Sequence, residues 1–302
     1  MTKIEYHIPV LLHECIEGLN LRSDGNYVDV TFGGGGHSRQ ILKGLTTGKL
    51  IVFDQDARAL ENVTQDARVI GVNQNFRFMR NFLNYHNVLP VDGILADLGV
   101  SSHQFDTADR GFSTRFDGPL DMRMNPKSET SASTIVASFD EFSLMKMFRD
   151  YGELEHSNRI AKAIVNARSN APIQTTNDLK QVLVHVAPKG KENQFYAQVF
   201  QALRIEVNNE LEVLKEFLKQ SLKSLKTGGR LVVISYHSLE DRLVKNIMKS
   251  GNFEGEVNTD VFGNRSLPFK LITKKPVLPS ADEMISNPRS RSARLRIAEK
   301  VE

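Results

Sequence analysis

Cysteine is almost absent: Cys15 is the only one in 302 residues. No disulfide can close within the chain and no cysteine-rich zinc site can be built, which fits a reducing compartment and makes the cytoplasm the expected location. Long apolar runs are missing too. The run over residues 8–12 is cut off by His13 and Glu14, too short for a signal-peptide core or a membrane span, so neither export nor a membrane is expected. No repeat or low-complexity tract occurs, and no His, Cys or carboxylate cluster has ligand spacing, so no metal is expected. A triphosphate-binding loop is excluded as well, because Gly44 to Lys49 has the wrong spacing and Leu50 stands where Ser or Thr would hold magnesium.

What remains is an ordinary globular composition, 40% hydrophobic and 25% charged, in a chain long enough for one large interrupted domain or two. The net charge of +3 is unevenly spread: residues 265–302 hold nine Lys or Arg against four Asp or Glu. Arg289, Arg291, Arg294 and Arg296 could hold phosphate there. Ala293, Leu295 and Ile297 alternate with the last of them, so a solvated edge strand explains the same residues.

Short β-rich runs separated by amphipathic stretches predict a doubly wound α/β fold. Strands are expected over residues 27–31, 50–54, 76–79 and 93–97, with crossover helices over 38–45, 57–67 and 82–88. Gly228-Gly229 is read as ending a helix that starts near Asn208, before a buried strand over 230–235. Two further strands, 269–273 and 293–298, complete a sheet of seven. Residues 251–265 read as a loop. Residues 107–207 differ in texture. Helical spacing over 140–151, 157–170, 177–186 and 193–206, with a cap signal at Thr176-Asn177, predicts an all-α insert. It would interrupt a domain made of residues 1–106 and 208–302.

The strongest local signal is the run VDVTFGGGGHS from Val28 to Ser38, a strand entering four glycines and then a helix. Glycines permit positive φ and remove Cβ atoms, so backbone N–H groups and a helix N-terminus can approach a carboxylate or phosphate. Asp54, 21 residues after Gly33, is placed to bind the hydroxyls of a ribose. Together these residues predict a nucleoside cofactor. The dinucleotide fingerprint needs glycine where Ser38 stands. Asp29 would repel a pyrophosphate but suits the cationic end of S-adenosylmethionine, which is therefore the expected cofactor. Asp97, ending the fourth strand, would share the crevice at the strands' carboxyl ends, although a turn cap is its simpler role.

These stretches resemble the MraW/RsmH family, bacterial 16S ribosomal RNA (cytosine-N4) methyltransferases. The shared runs are HIPVLL (7–12), TFGGGGHS (31–38), ADLGVSS (96–102), DRGFS (109–113), GPLDMRM (118–124), FQALRI (200–205), ISYHSLEDR (234–242) and NPRSRS (287–292). The resemblance implies a class I, Rossmann-like seven-stranded methyltransferase domain, a helical substrate-recognition insert, and methylation of a cytosine in the decoding centre. It places cofactor contacts at Gly35, Gly36, His37, Asp54, Phe82, Asp97 and Gln104. Phe82 would otherwise read as a core aromatic and Gln104 as a surface residue. Two departures stand out. The Asp-Pro-Pro-Tyr of many amino-methyltransferases is replaced by Asp97-Leu98-Gly99-Val100, and Tyr236 occupies a position where the family more usually has phenylalanine.

Transfer to a cytosine amine needs positioning rather than a covalent nucleophile, and Asp97 is the expected acceptor for the amine's N–H groups. Attack at cytosine C5 would need a cysteine, and Cys15 has no basic neighbour to activate it. Tyr236, His237, Ser238, Glu240, Asp241 and Arg242 are expected beside the substrate, with Ser238 as the alternative helix cap. Arg110, Arg115 and Arg123, with Arg289 and Arg291, are the candidates for RNA phosphates. The expected partner is 16S ribosomal RNA, in the small subunit or its assembly intermediate. A noncatalytic RNA-binding protein and a methyltransferase of small molecules or proteins are the alternatives.

Overall fold

A computed structural model describes residues 9–257 and 267–301, the side chains of Ser102 and His103 excepted. In chain order the elements are α1 (Leu12–Leu19), β1 (Tyr27–Asp29), α2 (Gly36–Lys43), β2 (Leu50–Phe53), α3 (Ala57–Leu60), β3 (Val69–Val72), α4 (Met79–Tyr85) and β4 (Val91–Asp97). Helices α5 (Ser102–Asp106), α6 (Ala132–Ser138), α7 (Glu141–Gly152), α8 (Ser157–Arg168), α9 (Thr176–Leu183), α10 (Glu192–Asn208) and α11 (Glu210–Ser224) follow. The chain closes with β5 (Leu225–Ser235), α12 (Ser238–Ser250), β6 (Phe269–Leu271), α13 (Ala281–Ser286) and β7 (Arg294–Lys300).

The chain divides into two compact units, residues 1–99 with 212–302, and residues 100–211. The first holds a seven-stranded sheet ordered β3-β2-β1-β4-β5-β7-β6. Strands β1 to β5 pair in parallel, and β7 runs antiparallel to both β5 and β6. Alternate residues of each central strand face opposite layers. Val28, Ile51, Ile94, Leu231 and Val233 pack with α4, α11 and α12, while Tyr27, Leu50, Val52, Leu95, Val232 and Ile234 pack with α1 and α2.

The second unit is helical, with its own core of Ile135, Leu144, Phe148, Ile160, Ile164, Leu179, Val199 and Leu203. Each of these helices repeats apolar residues three or four apart, burying one stripe. The cap of α9 is Thr175, one residue before the expected signal; its hydroxyl accepts from Asp178 N and Asp178 accepts in return from Thr175 N.

Three expectations are corrected. Residues 76–79 are not a strand: Asn75 Oδ1 accepts from Arg77 N and opens a 3₁₀ turn over Phe76–Phe78 that leads into α4. The alternation Phe-Arg-Phe-Met imitates a strand, but β2's outer partner is the β-branched Val69–Val72. Gly228-Gly229 does not end a helix either, since α11 stops at Ser224 and Gly228, at φ +78°, lies in the irregular first half of β5. Finally, β7 is not an edge strand: it lies between β5 and β6, so Leu295, Arg296, Ile297 and Ala298 are all buried. Of the expected loop over 251–265, residues 251–257 carry no helix or strand and the rest lie outside the described residues.

Candidate active site

Strand order runs outward in opposite senses from β1 and β4, and such a switch leaves a crevice beyond the carboxyl ends of both strands. The glycine turn follows β1, Asp54 follows β2, Asp97 ends β4 and Tyr236 follows β5. All four therefore belong to one edge of the sheet.

The turn is shaped by positive φ at Gly33 (+51°) and Gly35 (+72°) and closed by Gly35 N donating to Phe32 O at 2.7 Å. A Cβ on Gly36 would lie 2.1 Å from Pro9 Cγ, and one on Gly35 2.7 Å from the Phe32 ring. Packing of the protein on itself thus demands those two glycines. At Gly34 a Cβ would meet nothing within 4 Å among the described residues, so the open side of the turn is there. Asp29 holds the turn from beneath, its Oδ2 accepting from Ser38 Oγ at 2.6 Å and its Oδ1 from Thr31 N at 3.0 Å. Both oxygens are thereby committed inside the protein, and the expected direct role toward a cationic ligand gives way to a supporting one. His37, at the start of α2, turns its Nε2 to Val10 O at 3.0 Å and is buried.

Asp54 Oδ2 accepts from Gly33 N at 2.9 Å and its Oδ1 from Asp56 N at 2.8 Å, tying the second strand's end to the turn. Burial pushes its pKa up to about 6 against the pull of those two donors. Phe82 is half-buried and meets the Phe53 ring edge-on at 6.1 Å, one residue before Asp54.

Asp97 has the most specific surroundings. Its backbone N–H donates to Thr31 Oγ1 at 2.7 Å, and its Oδ1 accepts from the Tyr236 hydroxyl at 2.7 Å. Its Oδ2 accepts no hydrogen bond among the described residues. Burial raises its pKa to about 6, with the nearby Asp29 and Glu240 adding to the rise and His37 and the Tyr236 hydroxyl opposing it. Burial also pushes the Tyr236 phenol well up, so it stays a donor. Cys15 is buried and its thiol is pushed well up by burial and then by Asp97, which leaves it inert.

After β5 the expected substrate cluster splits. The cap of α12 is His237, not Ser238: its Nδ1 accepts from Glu240 N at 3.4 Å. Glu240 is buried and its Oε2 accepts from Tyr236 N at 2.9 Å. Asp241 is buried and clamps Arg296 through two hydrogen bonds of 2.6 and 3.0 Å, with Arg294 at 3.5 Å. Ser238 is half-buried, while Arg242 and Arg291 are exposed and Arg289 partly so.

In the helical unit, Gln104 is buried and Arg115 exposed. Gln104 Oε1 accepts from Ser101 N at 3.1 Å. Arg123 is paired with Asp121 at 2.6 Å and donates to Ser128 O, and Arg110 donates to the carbonyls of Arg123 and Met124. Both guanidinium groups brace the segment before α6. Sequence reasoning missed Thr31 and the Tyr236 hydroxyl as partners of Asp97. The threonine between Asp29 and the glycines was the available signal for the first.

A glycine turn open at Gly34, helix α2 beginning behind it, a carboxylate after β2 and an acid ending β4 suit the donor and acceptor set of a nucleoside carrying an amino-acid tail. Fold and site define an S-adenosylmethionine-dependent methyltransferase. A model of the MraW methylase family matches residues 5–301, and the chain belongs to that family. It is 56% identical over 301 residues to the ribosomal RNA small subunit methyltransferase H of Flavobacterium johnsoniae, covering 99% of each chain. The methyltransferase H of Parabacteroides distasonis is 56% identical over 298 residues, 98% of each. That of Christiangramia forsetii is 53% identical over 302 residues, 100% of each.

Proposed function

We propose that this methyltransferase acts on the exocyclic N4 amine of a cytosine in the decoding centre of 16S ribosomal RNA, presented in the small subunit or its assembly intermediate in the cytoplasm. The observation that carries the reading is Asp97, anchored through Oδ1 by Tyr236 with Oδ2 left to accept, in a chain whose relatives are named for ribosomal RNA of the small subunit.

When bound, S-adenosylmethionine supplies an electrophilic methyl group on a positive sulfonium. Asp54 would accept from its ribose hydroxyls, and the N–H groups at the start of α2 with the turn from Gly33 to Gly36 would face its amino-acid carboxylate. Phe82 would flank Asp54, and His37 and Gln104 keep the contact roles the family implies. Asp97 borders both cofactor and base. Its free Oδ2 accepts an N–H of the amine, which draws the nitrogen lone pair out of conjugation with the ring and toward the methyl group. The Tyr236 hydroxyl holds that carboxylate in one orientation, so positioning supplies the catalysis. To reach it the base must leave its stack.

The helical segment 107–207 is assigned to substrate recognition. Arg115, Arg242, Arg289 and Arg291 are the phosphate contacts, His237 and Ser238 line the base side, and Arg110 and Arg123 support the segment from within.

The test is transfer of labelled methyl from S-adenosylmethionine to small ribosomal subunits lacking the modification, with nucleoside analysis and Asp97→Ala as control. N4-methylcytidine that disappears in the variant is the expected outcome. Absence of incorporation into subunits, 16S RNA and assembly intermediates, with cofactor binding intact, overturns the assignment.

A further inference from the structure

Helix α12, the end of β6 and the segment after it line a cavity of about 260 Å³ that the proposed reaction does not use. Met248, Leu271 and Pro276 line it together with Lys245, Lys249, Lys274 and Lys275. Lys245 and Lys249 are one turn apart on α12, Lys274 and Lys275 follow β6, and all four are exposed. Arg296 also lines the cavity, but Asp241 neutralises it.

The four ammonium groups have no carboxylate partner among the described residues. Several other cations of the same unit do find one: Lys226 with Asp92, Lys215 with Glu212, Arg77 with Glu216, Arg68 with Asp66 and Arg230 with Glu299. Four like charges around one concavity repel one another until an anion enters. Thr273 is committed to Ile297, its hydroxyl accepting from Ile297 N at 2.9 Å and donating to Ile297 O at 3.5 Å, so the lysines are the donors left for a ligand. Among the described residues no aromatic ring lines the cavity, so none of them stacks a base there. Ammonium groups act as point charges that suit phosphate and read no sequence.

Placement ties the cavity to the site. Helix α12 starts directly after His237, next to Tyr236. At 1.5 Å per residue, Lys245 and Lys249 lie roughly 12 and 18 Å along it.

We infer that this lysine cavity is a second contact for the substrate, gripping RNA backbone phosphates a few nucleotides from the cytosine held at Asp97. The inference rests on the ribosomal RNA reading.

The test compares the full-length enzyme with the variant Lys245→Gln, Lys249→Gln, Lys274→Gln, Lys275→Gln and with the corresponding fourfold Lys→Arg variant. Affinity for unmodified small subunits is measured across salt concentrations, beside KM and kcat. Loss of the charges is expected to raise KM for subunits roughly tenfold or more and to flatten the slope of log affinity against log salt by up to ~3, at about 0.7 per single-stranded phosphate contact. At saturating subunits kcat and the cofactor affinity stay at the wild-type values, and the Arg variant keeps the wild-type slope. An unchanged slope and KM in the Gln variant overturn the cavity while leaving methyl transfer standing. Subunit binding without methylation by the wild type overturns the reaction, and the binding slopes still decide the cavity. Saturation of the cavity by inorganic phosphate with no effect on subunit affinity marks a small-anion site and overturns the inference too.

Discussion

A phenol holds the carboxylate on which the proposed chemistry turns. Tyr236 donates to Asp97 Oδ1 at 2.7 Å, and a phenylalanine there would keep the ring and lose the donor. Around that carboxylate stand Asp29 from β1, His37 from α2, Cys15 from α1 and Glu240 from α12. A hydrogen bond to the ionised form favours it, so Tyr236→Phe is expected to move the Asp97 pKa above its value of about 6. The acidic limb of the single-turnover rate should shift upward by roughly one pH unit. With Asp97 less firmly held, the rate at pH 8 should also fall several-fold. A pH profile that coincides with the wild type's would show that the hydroxyl has no part in holding Asp97.

Elements meet the site through packing of the protein on itself. Helix α2 starts against Pro9, and the 2.1 Å approach a Cβ on Gly36 would make to Pro9 Cγ leaves no room for a methyl group. Gly36→Ala is expected to displace either Pro9 or the first turn of α2, costing about 1–3 kcal/mol. Cofactor affinity should fall with it, because the N–H groups of that turn move together. Denaturant unfolding and calorimetric titration check both, and wild-type values in both would show that the contact yields without consequence. Packing also governs α12, whose first turn looks like a charged surface in sequence. Glu240 and Asp241 are buried there because the Tyr236 backbone and Arg296 need acceptors.

Across the whole sheet domain, two carboxylates carry pKa values raised by burial to about 6, Asp54 and Asp97. An unfolded Asp titrates near ~3.9. Their contribution to stability is therefore complete below that value and is lost as pH rises through about 6, where the folded protein must ionise them. A cationic ligand that needs both groups ionised reverses the balance, with affinity gaining up to about tenfold per pH unit for each carboxylate below the raised pKa. The thermal shift given by S-adenosylmethionine at fixed concentration is thus expected to be larger at pH 7.5 than at pH 5.5. An equal or smaller shift at the higher pH would remove these carboxylates from the cofactor site.

Residue order alone was enough wherever contiguous chemistry decides the outcome. The glycine turn, the β-branched run ending at Ser235, the strand ending at Asp97 and the helical periodicity of α7 to α10 each follow from neighbours in sequence. The third strand escaped, because Phe76 to Met79 alternate like a strand while β2 pairs with Val69–Val72, a choice made by the partner. Partner choice also buried one of the C-terminal arginines. Arg296 reads as exposed and basic until β7 inserts between β5 and β6 and brings it to Asp241, 55 positions away. Tyr236 and Asp97 are 139 positions apart, and no local pattern announces their hydrogen bond. Local structure depends on steric and hydrogen-bonding preferences within a few residues, whereas these pairings depend on which strands lie side by side, and that is settled only when the sheet closes on its core.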